Sequence, residues 1–284
     1  MIIPCRSPHF NKKYVLLTLF AEIFRADVFW RKRRFCPRLV LILKVSLWYN
    51  SLNMGRYSIS EREAAKTEKL QDLIIIGAGG LGRDTAWLVR RINRVCPTWR
   101  LLGFLDDSAE MQGKVFNGDP VLGTLEQLTE YPDAFVVCAI AAARVRRRII
   151  ARVLELVPSV RFATLIDPSA ELSDTVEVGA GSIICAHTIA TVNIRMGAHV
   201  IINANCTVGH DAVLHDYVTV YPGVNISGTT EIGTCAELGT GMQIIQGKKI
   251  GDETIIGAGA VVIRDLPPKC TAVGCPAKPI RFRE

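Results

Sequence analysis

Few residues in this chain have the type and spacing to do chemistry on a small molecule; His210 followed by Asp211 is one such pair, its alternative reading being a histidine on a surface corner. An imidazole titrates close to neutrality, so it can take a proton from a hydroxyl or amine at the moment of attack. A carboxylate beside it can fix the ring and stabilise the imidazolium that forms. No Ser or Cys is visibly paired with this base, so direct transfer to an acceptor is the simplest scheme. His187, His199 and His215 are expected at the surface or an interface.

A second set of residues can hold an anionic ligand. Asp72-Leu-Ile-Ile-Ile-Gly77 reads as a short buried strand, followed at once by Gly77, Gly79, Gly80 and Gly82 and by a helical run over Arg83–Val95. Glycines allow a tight turn and a close ligand, and a helix N-terminus offers unpaired N–H groups to a phosphate. The alternative is that these glycines serve only close strand–helix packing. A second strand, Trp99–Leu105, ends in Asp106 and Asp107, which can accept hydrogen bonds from a ribose or a base or simply start a turn. A third strand is predicted over Ala134–Ala141 and a helix over Ala142–Leu156, whose Arg144, Arg146, Arg147 and Arg148 read as a solvated face. At about 95 residues, 71–165 forms a small Rossmann-like unit with room for one nucleotide. A complete NAD-binding fold needs two such halves, which disfavours a dehydrogenase.

The elements that must position His210 follow from a repeat. Steps of six from Ile166 to Val262 meet Leu, Ile, Val or Met at sixteen of seventeen positions, the exception being Ala190. The next residue is Gly at 179, 197, 209, 233, 239, 251 and 257. Four residues after the aliphatic stand small or β-branched side chains such as Ala170, Val176, Ser182, Thr188 and Val200. A period of six suits neither an amphipathic helix nor a lone strand. It predicts a triangular parallel β-solenoid over 166–284, three hexapeptides to a coil, with the aliphatic inside and the glycine relaxing the corner. The unbroken frame predicts no large internal loop. Flat faces invite packing on copies of the same chain, and a closed trimer suits a three-sided prism.

Composition removes several function classes. The net charge of +7 is carried by residues 1–54, where ten Lys and Arg face two acids; the rest holds 24 bases and 25 acids, which gives no basis for nucleic-acid binding. Residues 1–70 form an extension with two short apolar runs, neither long enough to span a bilayer. It is expected to be a translated upstream stretch, with synthesis starting at Met54; a basic segment lying on an anionic membrane surface is the alternative. Nine scattered cysteines without a C-x-x-C pair suggest a reducing, cytoplasmic setting. Zinc is disfavoured too. His210 and His215, five apart, resemble part of the zinc site of gamma-class carbonic anhydrases, but the third His of that site, two coils before the first, is Asp174 here.

Taken together, Ile74-Ile-Ile-Gly-Ala-Gly-Gly-Leu-Gly82, Gly103-Phe-Leu-Asp-Asp107, the hexapeptide frame, Asn205-Cys-Thr-Val-Gly-His-Asp211 and Gly274-Cys-Pro-Ala-Lys278 resemble the NeuD/PglD-like sugar acyltransferases over about residues 70–282. The resemblance implies a homotrimer with a left-handed β-helix, a sugar nucleotide on the small sheet domain, and acetyl-CoA along the β-helix between subunits. It puts the base on His210 with Asp211, acetyl-CoA contacts on Gly228, Gly239 and Gly257, and the 274–278 loop near the adenine. Leu81 stands where many members carry a His that contacts the sugar nucleotide, so the acceptor sugar is expected to differ from the best known one; Thr219 stands where a second family His falls, and His215 does not take its place. The implied role is acetylation of an amino or sialic-acid-like sugar for surface glycans. The rival class is a non-catalytic trimeric scaffold that binds a sugar nucleotide for a partner synthase. A gamma-class carbonic-anhydrase-like zinc enzyme is the lesser alternative.

Overall fold

The computed structural model describes residues 70–283, so the extension before Leu70 lies outside the described residues. The first part is a six-stranded sheet in the order β3-β4-β2-β1-β5-β6. Its strands are β1 (Gln71–Ile76), β2 (Trp99–Leu105), β3 (Val115–Phe116), β4 (Asp119–Gly123), β5 (Phe135–Cys138) and β6 (Arg161–Phe162). All neighbours are parallel except β3 and β4. Residues of β1 alternate between two layers. Leu73 and Ile75 pack with Ala86, Leu88 and Val89 of α1 (Gly80–Val95), while Ile74 and Ile76 pack with Ile150 and Val153 of α2 (Ala143–Leu156). A strand buried on both faces reads as a continuous apolar run, which is why β1 is plain in the sequence.

β2 matches its predicted span, whereas the third strand, expected over Ala134–Ala141, pairs only over Phe135–Cys138. The reason is local: the carbonyls of Ile140 and Ala141 turn away to accept hydrogen bonds from Arg146 Nη1, at 2.6 and 3.0 Å.

From Leu165 the chain winds into a left-handed parallel β-helix of seventeen two-residue strands, β7 (Leu165–Ile166) to β23 (Val261–Val262), spaced by six without interruption. The second residue of every strand is the repeating residue from Ile166 to Val262. Strands pair in parallel with the strand eighteen residues on, as Ile184 with Ile202 and Val208 with Ile226, so three hexapeptides make a coil. The aliphatics stack into one interior core; burying each contributes roughly 1.5–3 kcal/mol.

The corners differ from expectation. The left-handed residue is the third after the aliphatic, and it has positive φ at fourteen successive corners from Gly181 to Gly259. Nine of the fourteen are not glycine, so glycine is not what turns the corner. The glycine that directly follows the aliphatic answers to coil spacing instead. A Cβ on Gly209 would lie 2.5 Å from Gly228 N, and one on Gly179 would lie 2.6 Å from Ala198 N. Coils stacked about 4.8 Å apart leave no room there for a side chain.

The sheet packs on the first face of the β-helix, formed by the strands beginning at Leu165, Ile183, Ile201, Thr219, Glu237 and Ile255. Leu165, Ile183 and Ile201 are fully buried in the same core as Leu73, Ile75 and Trp99, so sheet and β-helix share a core where they meet. Arg146 and His199 correct the sequence reading here. Arg146 is not on a solvated face but is fully buried, donating to the carbonyls of Ile140, Ala141, His199, Tyr217 and Val218 and to Thr219 Oγ1. Arg147 does stay near solvent, 2.9 Å from Glu253. His199 is 5% exposed, stacked on Tyr217 and edge-on to Phe162.

Candidate active site

His210 and Asp211 stand at the corner between the second face (Thr207–Val208) and the third (Val213–Leu214). Asp211 occupies the left-handed position, φ 59°, a conformation that Asp tolerates better than bulkier residues. That turn swings its carboxylate back onto its neighbour: Asp211 Oδ2 lies 2.8 Å from His210 Nδ1. Asp211 Oδ1 accepts from Asn193 Nδ2 at 3.1 Å. The His210 hydrogen bond, then the Asn193 one, hold the Asp211 carboxyl below the usual carboxylate range. The carboxylate therefore stays charged near neutrality, and its contact with Nδ1 fixes the ring so that Nε2 is the nitrogen left for chemistry.

Nε2 comes close to Gly228, one coil on. A Cβ added at Gly228 would stand 2.5 Å from Nε2 and 2.6 Å from Cε1, so glycine there gives the imidazole its space. The Gly228 amide donates to no backbone carbonyl among the described residues, unlike Ser227 and Thr229 on either side. Below the dyad, Asp174, Thr175, Glu177, Asn193, Arg195, Asp211 and Val213 line an open groove of about 670 Å³.

Gly239 and Gly257 lie elsewhere, at the corner after the first face rather than the one that carries His210. A Cβ on Gly239 would fall 2.7 Å from Ala258 N, so coil packing explains its identity. Thr219, at the second family-His position, is buried under the sheet and donates to Ala141 O at 2.7 Å. His215 is half exposed beside Glu231, as expected of a surface residue.

The glycine turn sits at the carboxyl ends of β1 and β2, the usual ligand side of a parallel sheet. Gly77 has φ 99°, and a Cβ on Gly82 would collide with Gly77 O, so the fold demands these two. Gly79 and Gly80 face open space, and packing does not require them. Asp106 accepts from Ala78 N at 2.8 Å and Ser108 N at 2.9 Å, tying the turn to β2. Asp107 accepts from Leu125 N and pairs with Arg152. Both acids thus shape the turn. With Gly77, Ile76, Leu105, Leu125, Ile140 and Ile149 they enclose a cavity of about 140 Å³. Leu81 packs into the sheet core and brings no polar group to the turn. Among the described residues there is no group of three or more His, Cys, Asp or Glu able to hold a metal, and no helix is long and apolar enough to cross a membrane.

A left-handed hexapeptide β-helix with a His–Asp pair on one corner and a glycine-turn sheet packed on a face defines a hexapeptide acyltransferase with a nucleotide-type domain. Residues 72–153 match the PglD N-terminal domain. Over 215 residues the chain is 33% identical to GDP-perosamine N-acetyltransferase from Escherichia coli O157:H7, covering 73% of this chain and 95% of that one. The acetyltransferase domain of PglB from Neisseria gonorrhoeae is 33% identical and superimposes with a TM-score of 0.67 over 74% of this chain and all of that domain. A mutant perosamine N-acetyltransferase from Caulobacter crescentus, in complex with CoA and GDP-perosamine, is 30% identical with a TM-score of 0.67, over 75% of this chain and 98% of that one. The chain belongs to the PglD/NeuD-like sugar acyltransferases.

Proposed function

We propose that this protein transfers the acetyl group of acetyl-CoA to an amine or hydroxyl of a nucleotide-activated sugar, as a cytoplasmic homotrimer serving surface-glycan synthesis, with His210 as general base. The observation that carries the reading is the His210–Asp211 pair at 2.8 Å, its Nε2 beside a glycine on the next coil. The named acceptor of the relatives, GDP-perosamine, favours an amine over a hydroxyl.

The chemistry asks little more of the chain. His210 Nε2 removes the proton from the acceptor nitrogen or oxygen as that atom bonds to the thioester carbonyl carbon. Asp211 stabilises the imidazolium, which returns the proton to the departing thiolate. The Gly228 amide, which donates to no backbone carbonyl among the described residues, is suited to the thioester oxygen as charge develops there. Gly79 and Gly80, open above the α1 N-terminus, suit the diphosphate of the acceptor.

The test is thiol release from acetyl-CoA with GDP-, UDP- and CMP-linked amino sugars and sialic acids. The wild type turns over at least one acceptor and His210→Ala falls by about 10²-fold or more. Equal behaviour of the two with every acceptor would leave the scaffold reading in its place.

A further inference from the structure

We propose that Asn193 is a positioning residue for acyl transfer, locking the Asp211 carboxylate so that it presents one oxygen to His210. This rests on His210 being the base. Asn193 lies eighteen residues, one coil, before Asp211, in the same corner column and with nearly the same backbone, φ 56° against 59°. Its amide takes Asp211 Oδ1 at 3.1 Å and leaves Oδ2 for His210 Nδ1 at 2.8 Å. The terminal torsion of an Asp side chain is soft, so a half-exposed carboxylate with one partner is free to swing. Two partners on two oxygens fix its plane. Asn193 is anchored in turn: its backbone N–H donates to Thr175 Oγ1 at 2.8 Å, and Asp211 N donates to Val192 O at 3.0 Å. A hydrogen-bonded ladder, Thr175–Asn193–Asp211–His210, thus climbs one corner over three coils and ends at Nε2. The charged groups sharing its groove are Asp174, Glu177 and Arg195.

Asn also suits a left-handed corner for purely conformational reasons, so the test must separate the amide from the backbone. Asn193→Gly keeps the conformation and removes the donor. Asn193→Asp keeps conformation and shape but sets a carboxylate against Asp211. For Asn193→Gly we expect kcat to fall about tenfold with KM for both substrates and the melting temperature nearly unchanged. For Asn193→Asp we expect a loss at least as large. The acidic limb of its kcat/KM profile moves to higher pH, because added negative charge favours the protonated imidazole. In a His210→Ala background, Asn193→Gly has no further effect. Wild-type kcat and pH profile in both Asn193 variants, with His210→Ala inactive, would overturn the role of Asn193 alone. Turnover retained by His210→Ala would bring down both readings.

Discussion

Gly228→Ala is the sharpest probe of the dyad, because its damage falls on one ring. The added Cβ would stand 2.5, 2.6 and 2.8 Å from Nε2, Cε1 and Cδ2 of His210. Ordinary contact needs about 3.5 Å, so the imidazole must retreat by about 1 Å. A retreat along the line to Asp211 is blocked, and a swing away stretches the 2.8 Å contact with Nδ1 beyond hydrogen-bond range. The imidazole then loses its contact with Asp211 and its place at Gly228. The expected loss is about 10²-fold in kcat/KM, or about 2.7 kcal/mol of transition-state stabilisation. Stability should hold, since Gly228 has no positive φ and a half-exposed imidazole can move aside. An alanine there also narrows the unfolded ensemble, by about 0.4–1 kcal/mol in favour of the fold. The assay is thiol release at saturating acetyl-CoA, read beside a thermal melt. Activity within about threefold of wild type would refute the reasoning, since a tolerated methyl means the ring does not work from this position. Gly239→Ala supplies the contrast. Its Cβ meets backbone, Ala258 N at 2.7 Å, so stability falls by about 1–3 kcal/mol.

Arg146→Ala removes a fully buried guanidinium and strands the carbonyls of His199, Tyr217 and Val218. A loss of about 3–5 kcal/mol is expected in urea unfolding, and a loss under 1 would show that the carbonyls find other donors. His199 concerns pH. Burial first, then the Arg146 charge, pushes its folded pKa down to about 4. The unfolded chain takes up the proton near pH 6.5 and the folded one does not, so stability is lost as pH falls from 6.5 toward 4, by up to about 1.4 kcal/mol per pH unit. His199→Phe keeps the stacking on Tyr217 and flattens that slope; an unchanged slope would clear His199 of the effect.

The β-helix was open to reading because one periodicity serves one physical need, filling the coil interior, and the residues from Ile166 to Val262 all do so. The face that binds the sheet was equally present in the sequence but unread. The residue before each aliphatic points outward, and in the first three coils of the first face it is apolar and buried: Leu165, Ile183, Ile201. Arg146 carried a similar signal. It falls in phase with Ala143, Ile150 and Val153 on the buried stripe of α2, whereas its neighbours Arg144, Arg147 and Arg148 fall off it. Counting arginines hid this. At the site, His210 with Asp211 was visible as adjacent types. Asn193 was missed although the expected coil of three hexapeptides already places it directly beside Asp211; that its amide reaches the carboxylate is a matter of side-chain geometry at the corner, which spacing does not give. The difference between Gly228, which clears a ring, and Gly239, which clears a backbone, does leave a trace: Gly239 directly follows the repeating aliphatic like the other spacing glycines, whereas Gly228 stands one place later.

The placement of the glycine turn and of the His210 corner leads to a prediction about assembly. The sheet covers the first face of the prism, through Leu165, Ile183, Ile201, Thr219 and Glu237. His210 stands at the corner between the other two faces, opposite that side of the triangle. An acceptor held at the glycine turn of one chain therefore has the β-helix between it and that chain's own base. If both regions act in one reaction, the base must come from another copy. Two inactive variants test this. His210→Ala lacks the base. Gly80→Glu sets a charge in open space at the start of α1, where it suits the helix but repels a phosphate. Mixed in equal amounts and reassembled, about a quarter of the contacts between neighbouring copies join an intact His210 to an intact turn. About a quarter of wild-type activity should return. Mixtures as inactive as their parents, in assemblies shown by mass to contain both chains, would mean that each site is built from one chain; a Gly80→Glu variant active on its own would mean that the acceptor does not sit at the glycine turn.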